Sequence, residues 1–569
     1  MKNLIKYIVI ILVFTGIIAC DPIDENRLDF DFITNDPATA EGVLLNGYSR
    51  LIDQFTFIEA ATDDAVNNQL ANSFKRMALG ELNAQFNPTS RWNNYESVLW
   101  VNKFLKIIKT GDIVWSPNEE INEMFYLRME GEALALRGLH HFYTLQAHAG
   151  VGASGELLGV PYISDFIESD GNFNTPRLSF EATVQAIMAD FDAALALLPS
   201  DYGLSQGELD PLYENYDFNN YQVVNGSRYN LRISGKIVKA LKARLALFAA
   251  SPSFLNDQGY YNMAAADASE LLNTIGGVSG LASNGLDYYK KYDENNDVEM
   301  IWRGTIGGIS SGIESRMFPP SVNGSGEINP TQNFVDAFPM KNGFPATVAN
   351  GYDPQNPYAN RDPRLAEFVV FNGSSFGGGT INTGVGGKID RLDSIPEFST
   401  KTGYYLKKLL RPDVRLNNDG STVGQRHYDV YFRYTELFLI FAEAANEIGG
   451  PDNIINGMSA RDVIAAIRKR AGITQPDAYL ASINSKEAMR QLIRNERRLE
   501  LSFEGHRFWD LRRWGLSLNE TAKGYFYDGN NYVELPSVEA RNYQAFATYM
   551  PIPNDEVLKF PEIEQNSGW

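Results

Sequence analysis

From Ser179 to Pro199 the apolar residues Phe180, Val184, Ile187, Phe191, Leu195 and Leu198 recur at three- and four-residue spacing, and Pro199 ends the run. That spacing lays one stripe along an α-helix. Ile233, Ile237, Leu241, Leu245 and Phe248 repeat the pattern up to Ser251-Pro252. The same reading predicts helices over about 92–109, 122–148, 431–448 and 459–471. They fall in neighbouring pairs, 92–109 with 122–148, 179–198 with 232–250, and 431–448 with 459–471, because each stripe needs a partner to bury it. Between about 275 and 430 the pattern changes to Gly-, Asn- and Pro-rich sequence with short β-like runs such as Glu299-Met300-Ile301-Trp302. Asn372 to Gly387 reads as loop, and long irregular segments on a rigid scaffold are where binding usually sits.

Stacked helix pairs resemble tetratricopeptide units, although no clean repeat of about 34 residues is present. The expected fold is therefore mainly α, tetratricopeptide-like helix pairs with minor β and an irregular, loop-rich face. The first nineteen residues follow a different rule. Lys2 and Lys6 precede an apolar run from Ile8 to Ile18, far shorter than the ~20 residues of a spanning helix. Residues 1–19 are thus expected to be a signal peptide. Ile17-Ile18-Ala19-Cys20 resembles a bacterial lipobox, and Cys20 is the only cysteine among 569 residues. A lone cysteine forms no intramolecular disulfide, and its place at the cleavage site marks it for acylation, which tethers the chain to a membrane. Asp21, Asp24, Glu25, Asp29 and Asp31 make residues 20–36 an acidic tether. Residues 37–569 are expected to form one domain, helical over about 37–270, irregular over 271–430 and helical again over 431–569.

Formal charge is −20, so nucleic acid is an unsuitable partner, and polyanionic ligands are disfavoured unless a local basic pocket overrides the global field. Gly308-Ile309-Ser310-Ser311-Gly312 matches a nucleophile-elbow pattern but lies in a Gly/Ser loop without a following amphipathic helix. His141 and His148 are seven apart, too far for two zinc ligands one turn apart, and no HExxH occurs. Asp293, Asn295, Asp297 and Glu299 alternate as calcium ligands do, without the glycine an EF-hand loop requires. No catalytic residue, cofactor or metal is expected. On the segment 486–503, Met489, Leu492, Ile493, Leu499 and Phe503 mark a buried stripe that also holds Glu496. A buried carboxylate needs a partner, and Arg494, Arg497, Arg498, Arg507, Arg512 and Arg513 lie nearby in sequence, which predicts a structural ion-pair cluster.

An ordered series of motifs runs along the chain. Thr62-Asp63-Asp64 is followed by Tyr95, Val98 and Asn102, then by Gly131-Glu132-Ala133 with Arg137 and Tyr143, and by Arg177 to Pro199. Pro330-Thr331-Gln332 through Val335-Asp336-Ala337-Phe338, Tyr352-Asp353-Pro354 and Asn360-Arg361-Asp362-Pro363-Arg364 come next. Arg433-Tyr434 to Ala442-Glu443-Ala444 and Ile467 to Gly472 continue it. Arg494-Asn495-Glu496-Arg497-Arg498, Phe503-Glu504-Gly505-His506-Arg507, Asp510 to Trp514, Pro551-Ile552-Pro553 and Gln565 to Trp569 complete it. Together they resemble the SusD/RagB family, surface lipoproteins of Bacteroidetes nutrient-uptake systems. The resemblance implies non-catalytic glycan binding at the outer membrane, facing the cell exterior, with a SusC-like TonB-dependent transporter as partner. A peptide-binding subunit of a RagAB-like complex is the alternative, and a glycoside hydrolase a remote one. It also implies a ligand face built from the early loops and the irregular middle, where Asn68, Phe74, Arg76, Trp92, Tyr288, Tyr289, Trp302 and Arg316 are the candidate glycan contacts. Relatives usually place a tryptophan four residues before the tyrosine equivalent to Tyr95. Here that position is Arg91, and Trp92 comes one residue late, a turn of about 100° on a helix.

Overall fold

The structure, a computed structural model, describes residues 33–290 and 298–569. The leader, Cys20 and most of the acidic tether lie outside the described residues, as do Asp293, Asn295 and Asp297. The described chain opens with α1 (Pro37–Leu45), then α2 (Asn94–Ile108), α3 (Glu119–His148), α4 (Phe180–Leu195), α5 (Gly235–Ala250) and α6 (Gln258–Thr274). Towards the other end come α7 (Tyr434–Gly449), α8 (Ala460–Arg470), α9 (Lys486–Glu500) and α10 (Arg507–Arg513). Side-chain caps fix several starts: Asn118 accepts from Ile121 N, Ser179 from Ala182 N and Ser485 from Ala488 N. Each helix of the stack packs on the next, α2 on α3 and so on to α7, which also receives α8 and α9. One apolar core runs through the stack, from Val101 and Phe104 through Phe142, Phe191 and Phe248 to Phe438 and Ile467. The fold is thus mainly α, in stacked helix pairs.

Two departures from the sequence reading have simple causes. Helix α6 is absent from the predicted set because its buried face, Tyr261, Ala264, Ala265, Ala268, Leu271 and Leu272, is half alanine and leaves a weak stripe. Asn372 to Gly387 holds a small hairpin, Ser374–Phe376 against Gly379–Ile381, where the glycine content suggests only loop. The helices approach closely where side chains are missing. A methyl group on Gly131 of α3 would sit 2.7 Å from Leu198 Cγ, and one on Gly138 2.8 Å from Phe191 Cε1.

Every sheet among the described residues is a two-stranded antiparallel pair. Strand β1 (Ala65–Asn67) pairs with β3 (Ile328–Pro330), and β2 (Met300–Arg303) with β4 (Val430–Arg433). The pairing through β4 explains why α7 begins at Tyr434. The irregular middle has its own apolar core, in which Phe334, Phe338, Phe368 and Leu406 meet Leu499 and Phe503.

Glu496 is fully buried and ion-paired, but not to the arginines beside it in sequence. Its Oε2 accepts from Arg364 Nη1 at 2.9 Å and its Oε1 from Arg468 Nη1 at 2.7 Å. Arg364 also binds Asp362 and Glu500 at 2.6 and 2.8 Å, and Arg468 binds Asp477 at 2.6 Å. The neighbouring arginines serve other carboxylates. Arg498 and Arg507 grip Asp63, each at 2.9 Å, while Arg497 and Arg513 hold Asp510 at 2.7 and 2.8 Å. Arg512 instead donates to the carbonyls of Thr548 and Gln146, at 2.8 and 3.1 Å, and Arg494 stacks on Trp514. Arg541 reaches the carbonyls of Thr62 and Ala65, both at 2.6 Å. These charges fasten the irregular middle and the early residues onto α9 and α10.

Candidate functional site

One cavity among the described residues brings four kinds of ring, Phe, Tyr, His and Trp, together with Asn, Gln and Arg side chains. It has a volume of about 350 Å³ and lies where the turn into α2 meets α3, β4 and the start of α10. Thr89, Ser90, Arg91, Asn93 and Asn94 form one wall; Phe142, Tyr143 and Gln146 of α3 form the next. Val430, Tyr431, Glu504, His506 and Trp509 close the far side, and Phe74 stands at the rim with Ser49 to Asp53. A groove of about 580 Å³ along α4, α5 and α6 is larger but is lined by no aromatic ring. Sugar rings need flat apolar faces beside polar side chains, which selects the smaller cleft.

The turn carrying Arg91 is fixed by α3. Arg91 N donates to His148 Nε2 at 3.1 Å, His148 Nδ1 faces Pro551 O at 2.8 Å, and Thr144 Oγ1 donates to Arg91 O at 3.3 Å. Burial pulls the His148 imidazole down to about 3, so at neutral pH it is the uncharged ring these contacts require. The Arg91 guanidinium lies 5.5 Å from the Tyr143 ring centre and 5.7 Å from that of Trp509. Burial lowers its pKa as well. The other strongly basic groups of the cleft are occupied: Arg50 pairs with Glu96, and Arg244 with Glu436 at 2.6 Å. Glu504 pairs with Lys408 and Arg433, each at 2.7 Å. His506 is held down to about 4 by burial, against the pull of Glu436, and is neutral at physiological pH.

Of the eight candidate contacts, Phe74 lines this cleft. Trp92 turns away from it, packing edge-on against Tyr95 and His148 at 5.1 and 5.4 Å, so the one-residue shift puts Arg91 in the cleft. Asn68 is buried and donates to the carbonyls of Ser325 and Gly326, at 3.0 and 2.8 Å, a lock on the β1–β3 region. Arg316 lies near it, paired with Glu327 at 2.9 Å, and Arg76 is paired with Glu81 at 2.6 Å. Tyr288 and Tyr289 are buried edge to face, and Tyr288 accepts from Gln54 Nε2 at 2.9 Å. Trp302 is 2% exposed, its Nε1 donating to Leu231 O at 3.0 Å and its ring against Tyr431. Strand pairing through β2 and β4 sinks it into the helical core, where a ligand cannot touch it.

Arg91, Tyr143, His506 and Trp509 are among the cleft residues that the sequence reading does not select. Tyr143, His506 and Trp509 sit in motifs that carry the family resemblance and not among the candidate contacts, and Arg91 was visible only as a departure from the usual tryptophan. His141 also has a structural place, its Nδ1 facing Arg137 O and its Nε2 accepting from Ile163 N. A short helix, Gly312–Met317, does follow Ser310, but Ser310 Oγ accepts from Gly312 N and its backbone bridges to Gln425. Glu299, the one described member of the alternating acidic run, is buried against Arg433 at 2.7 Å. Among the described residues no three His, Cys, Asp or Glu side chains gather as a metal site would require.

A family model described as "SusD family" matches residues 291–569, and a second, "Starch-binding associating with outer membrane", matches residues 40–206. The chain belongs to the SusD family. SusD-like protein P25 of Formosa agariphila is 26% identical over 304 residues, and the match spans 51% of this chain and 51% of that relative. A SusD-like protein of Bacteroides fragilis superposes with a TM-score of 0.74 at 23% identity, covering 97% of this chain and all of that one. A SusD-like carbohydrate-binding protein of the same species gives 0.68 at 20% identity, covering 93% and 99%. At these identities the structural likeness establishes the fold.

Proposed function

We propose that this protein captures a glycan at the outer surface of the cell, without cleaving it, and passes it to a SusC-like TonB-dependent transporter. The observation that carries the reading is the cleft in which Phe74, Tyr143, Tyr431 and Trp509 stand beside Asn93, Gln146 and Arg91. Membership of the SusD family supports it, as do a structural relative described as carbohydrate-binding and a matched model described as associating with the outer membrane. Anchorage through a lipid on Cys20 supplies the membrane attachment, since no helix among the described residues is long and apolar enough to cross a bilayer. Transport itself needs no chemistry from this chain, only a grip that releases.

Affinity electrophoresis of residues 21–569 against a panel of polysaccharides, with reducing-end assays of the same mixtures, tests the proposal. Retardation by a glycan with no new reducing ends, weakened in Phe74→Ala, supports it. New reducing ends would convert the assignment to a hydrolase. Failure of every glycan with capture of peptides would assign the cleft to peptide uptake.

A further inference from the structure

Arg91 stands apart from every other arginine that lines the cleft. No hydrogen bond or ion pair engages its guanidinium among the described residues, whereas Arg50 and Arg244 have carboxylate partners. The rings of Tyr143 and Trp509 flank it, and the backbone of Arg91 is pinned to His148 and Thr144. A guanidinium carries five N–H donors in a rigid fork, and none of those of Arg91 is used within the described residues. The fork matches two oxygens of one oxyanion. The fold therefore holds a half-buried cation at the cleft with no acidic partner among the described residues.

Resting on the reading of the cleft as a glycan site, we infer that Arg91 receives an acidic group of the ligand, so that the bound glycan carries a carboxylate or a sulfate ester. The formal charge of −20 sharpens the point. Such a surface repels polyanions at long range, and admitting one requires a fixed local cation. Uronate and sulfate ester share the planar or trigonal face of oxygens that the fork recognises. Phe74 and Tyr431, half-buried in the same cleft, offer the apolar faces a sugar stacks on, which favours a glycan over a bare anion.

The test uses residues 21–569 in titration calorimetry with four probes: polygalacturonate, its methyl ester, a sulfated galactan and the same galactan desulfated. At least one acidic probe is expected to bind about 10- to 100-fold more tightly than its neutral counterpart, the range lost with a charge-assisted pair. Arg91→Gln should abolish that preference and Arg91→Lys restore part of it, while the Arg91→Gln melting temperature stays at or above that of the parent, because no hydrogen bond of the fold is lost. Equal binding of neutral and acidic partners, or an acid preference that survives Arg91→Gln, overturns the inference and leaves glycan capture standing. A drop of several degrees on Arg91→Gln would make Arg91 a packing residue and overturn it too. Displacement of the acidic probe by acidic peptides of equal affinity would overturn the glycan assignment, and no binding of any polysaccharide would sink both readings.

Discussion

Replacing Glu496 by Gln removes one charge from a network that has no access to water. The side chains of Glu496, Arg364 and Arg468 are at most 1% exposed. Burial opposes ionisation of Glu496, and Arg364 and Arg468 outweigh it, holding the carboxyl below its ordinary value. Glutamine keeps one acceptor oxygen but turns an amide donor towards an arginine, so one charge-assisted bond is lost and two donors face each other. Breaking a buried pair on one side costs about 3–5 kcal/mol. The lower end applies here, because Arg364 keeps Asp362 and Glu500, and Arg468 keeps Asp477. With an unfolding entropy of about 2 cal/mol/K per residue, a loss of roughly 3 kcal/mol in a chain of this size lowers the melting temperature by roughly 3 °C. Calorimetric melts of parent and Glu496→Gln at pH 7, checked by urea unfolding, measure it. A midpoint within half a degree of the parent would refute the view that this cluster stabilises the fold.

Further outcomes follow from other buried groups. Burial raises the Glu59 carboxyl to about 7, so the folded state holds a proton that the unfolded state sheds above about 4.5. The stability from that proton is present below about 4.5 and lost as pH rises through 7; Glu59→Gln should flatten the pH profile across this window by roughly 3 kcal/mol, and an unchanged profile would refute the assignment. Burial lowers His140 and His506 to about 4 and His141 and His148 to about 3, so these rings resist protonation while the unfolded chain takes up protons below about 6.5. At one pH unit below that point the four together should cost roughly 5 kcal/mol; a melting temperature of Glu59→Gln that does not fall between pH 7.5 and 5.5 would contradict this. Gly138→Ala places a methyl 2.8 Å from Phe191 Cε1 and should destabilise by about 1–3 kcal/mol although alanine favours helices, and a thermal melt equal to the parent's would show that α3 and α4 can separate without cost.

The helical stack was legible because its stripes use large aliphatic and aromatic residues, and α6 was not, because alanine fills its buried face. The need of Glu496 for a cation was legible from its place in the stripe. Its partners were not, since Arg364 lies 132 residues away and Arg468 28, and chain proximity says nothing about which arginines reach a given helix face. The cleft suffered the same limit. Trp302 looks like a ligand platform until β4 is known to cover it, whereas Arg91 reveals itself through the ring contacts of Tyr143 and Trp509, residues that are distant in sequence.

The grip of Arg498 on Asp63 and Asp64 closes a loop of more than four hundred residues, Arg507 and Arg541 closing similar ones. Contacts of such sequence separation form late, after most of the loop-closure entropy has been spent. A fragment covering only residues 291–569 would present Arg498, Arg507 and Arg541 without the acceptors supplied by residues 62 to 65. The two stretches that separate family models match are therefore expected to fold as one cooperative unit, and separately expressed halves to recover a native melt only when mixed.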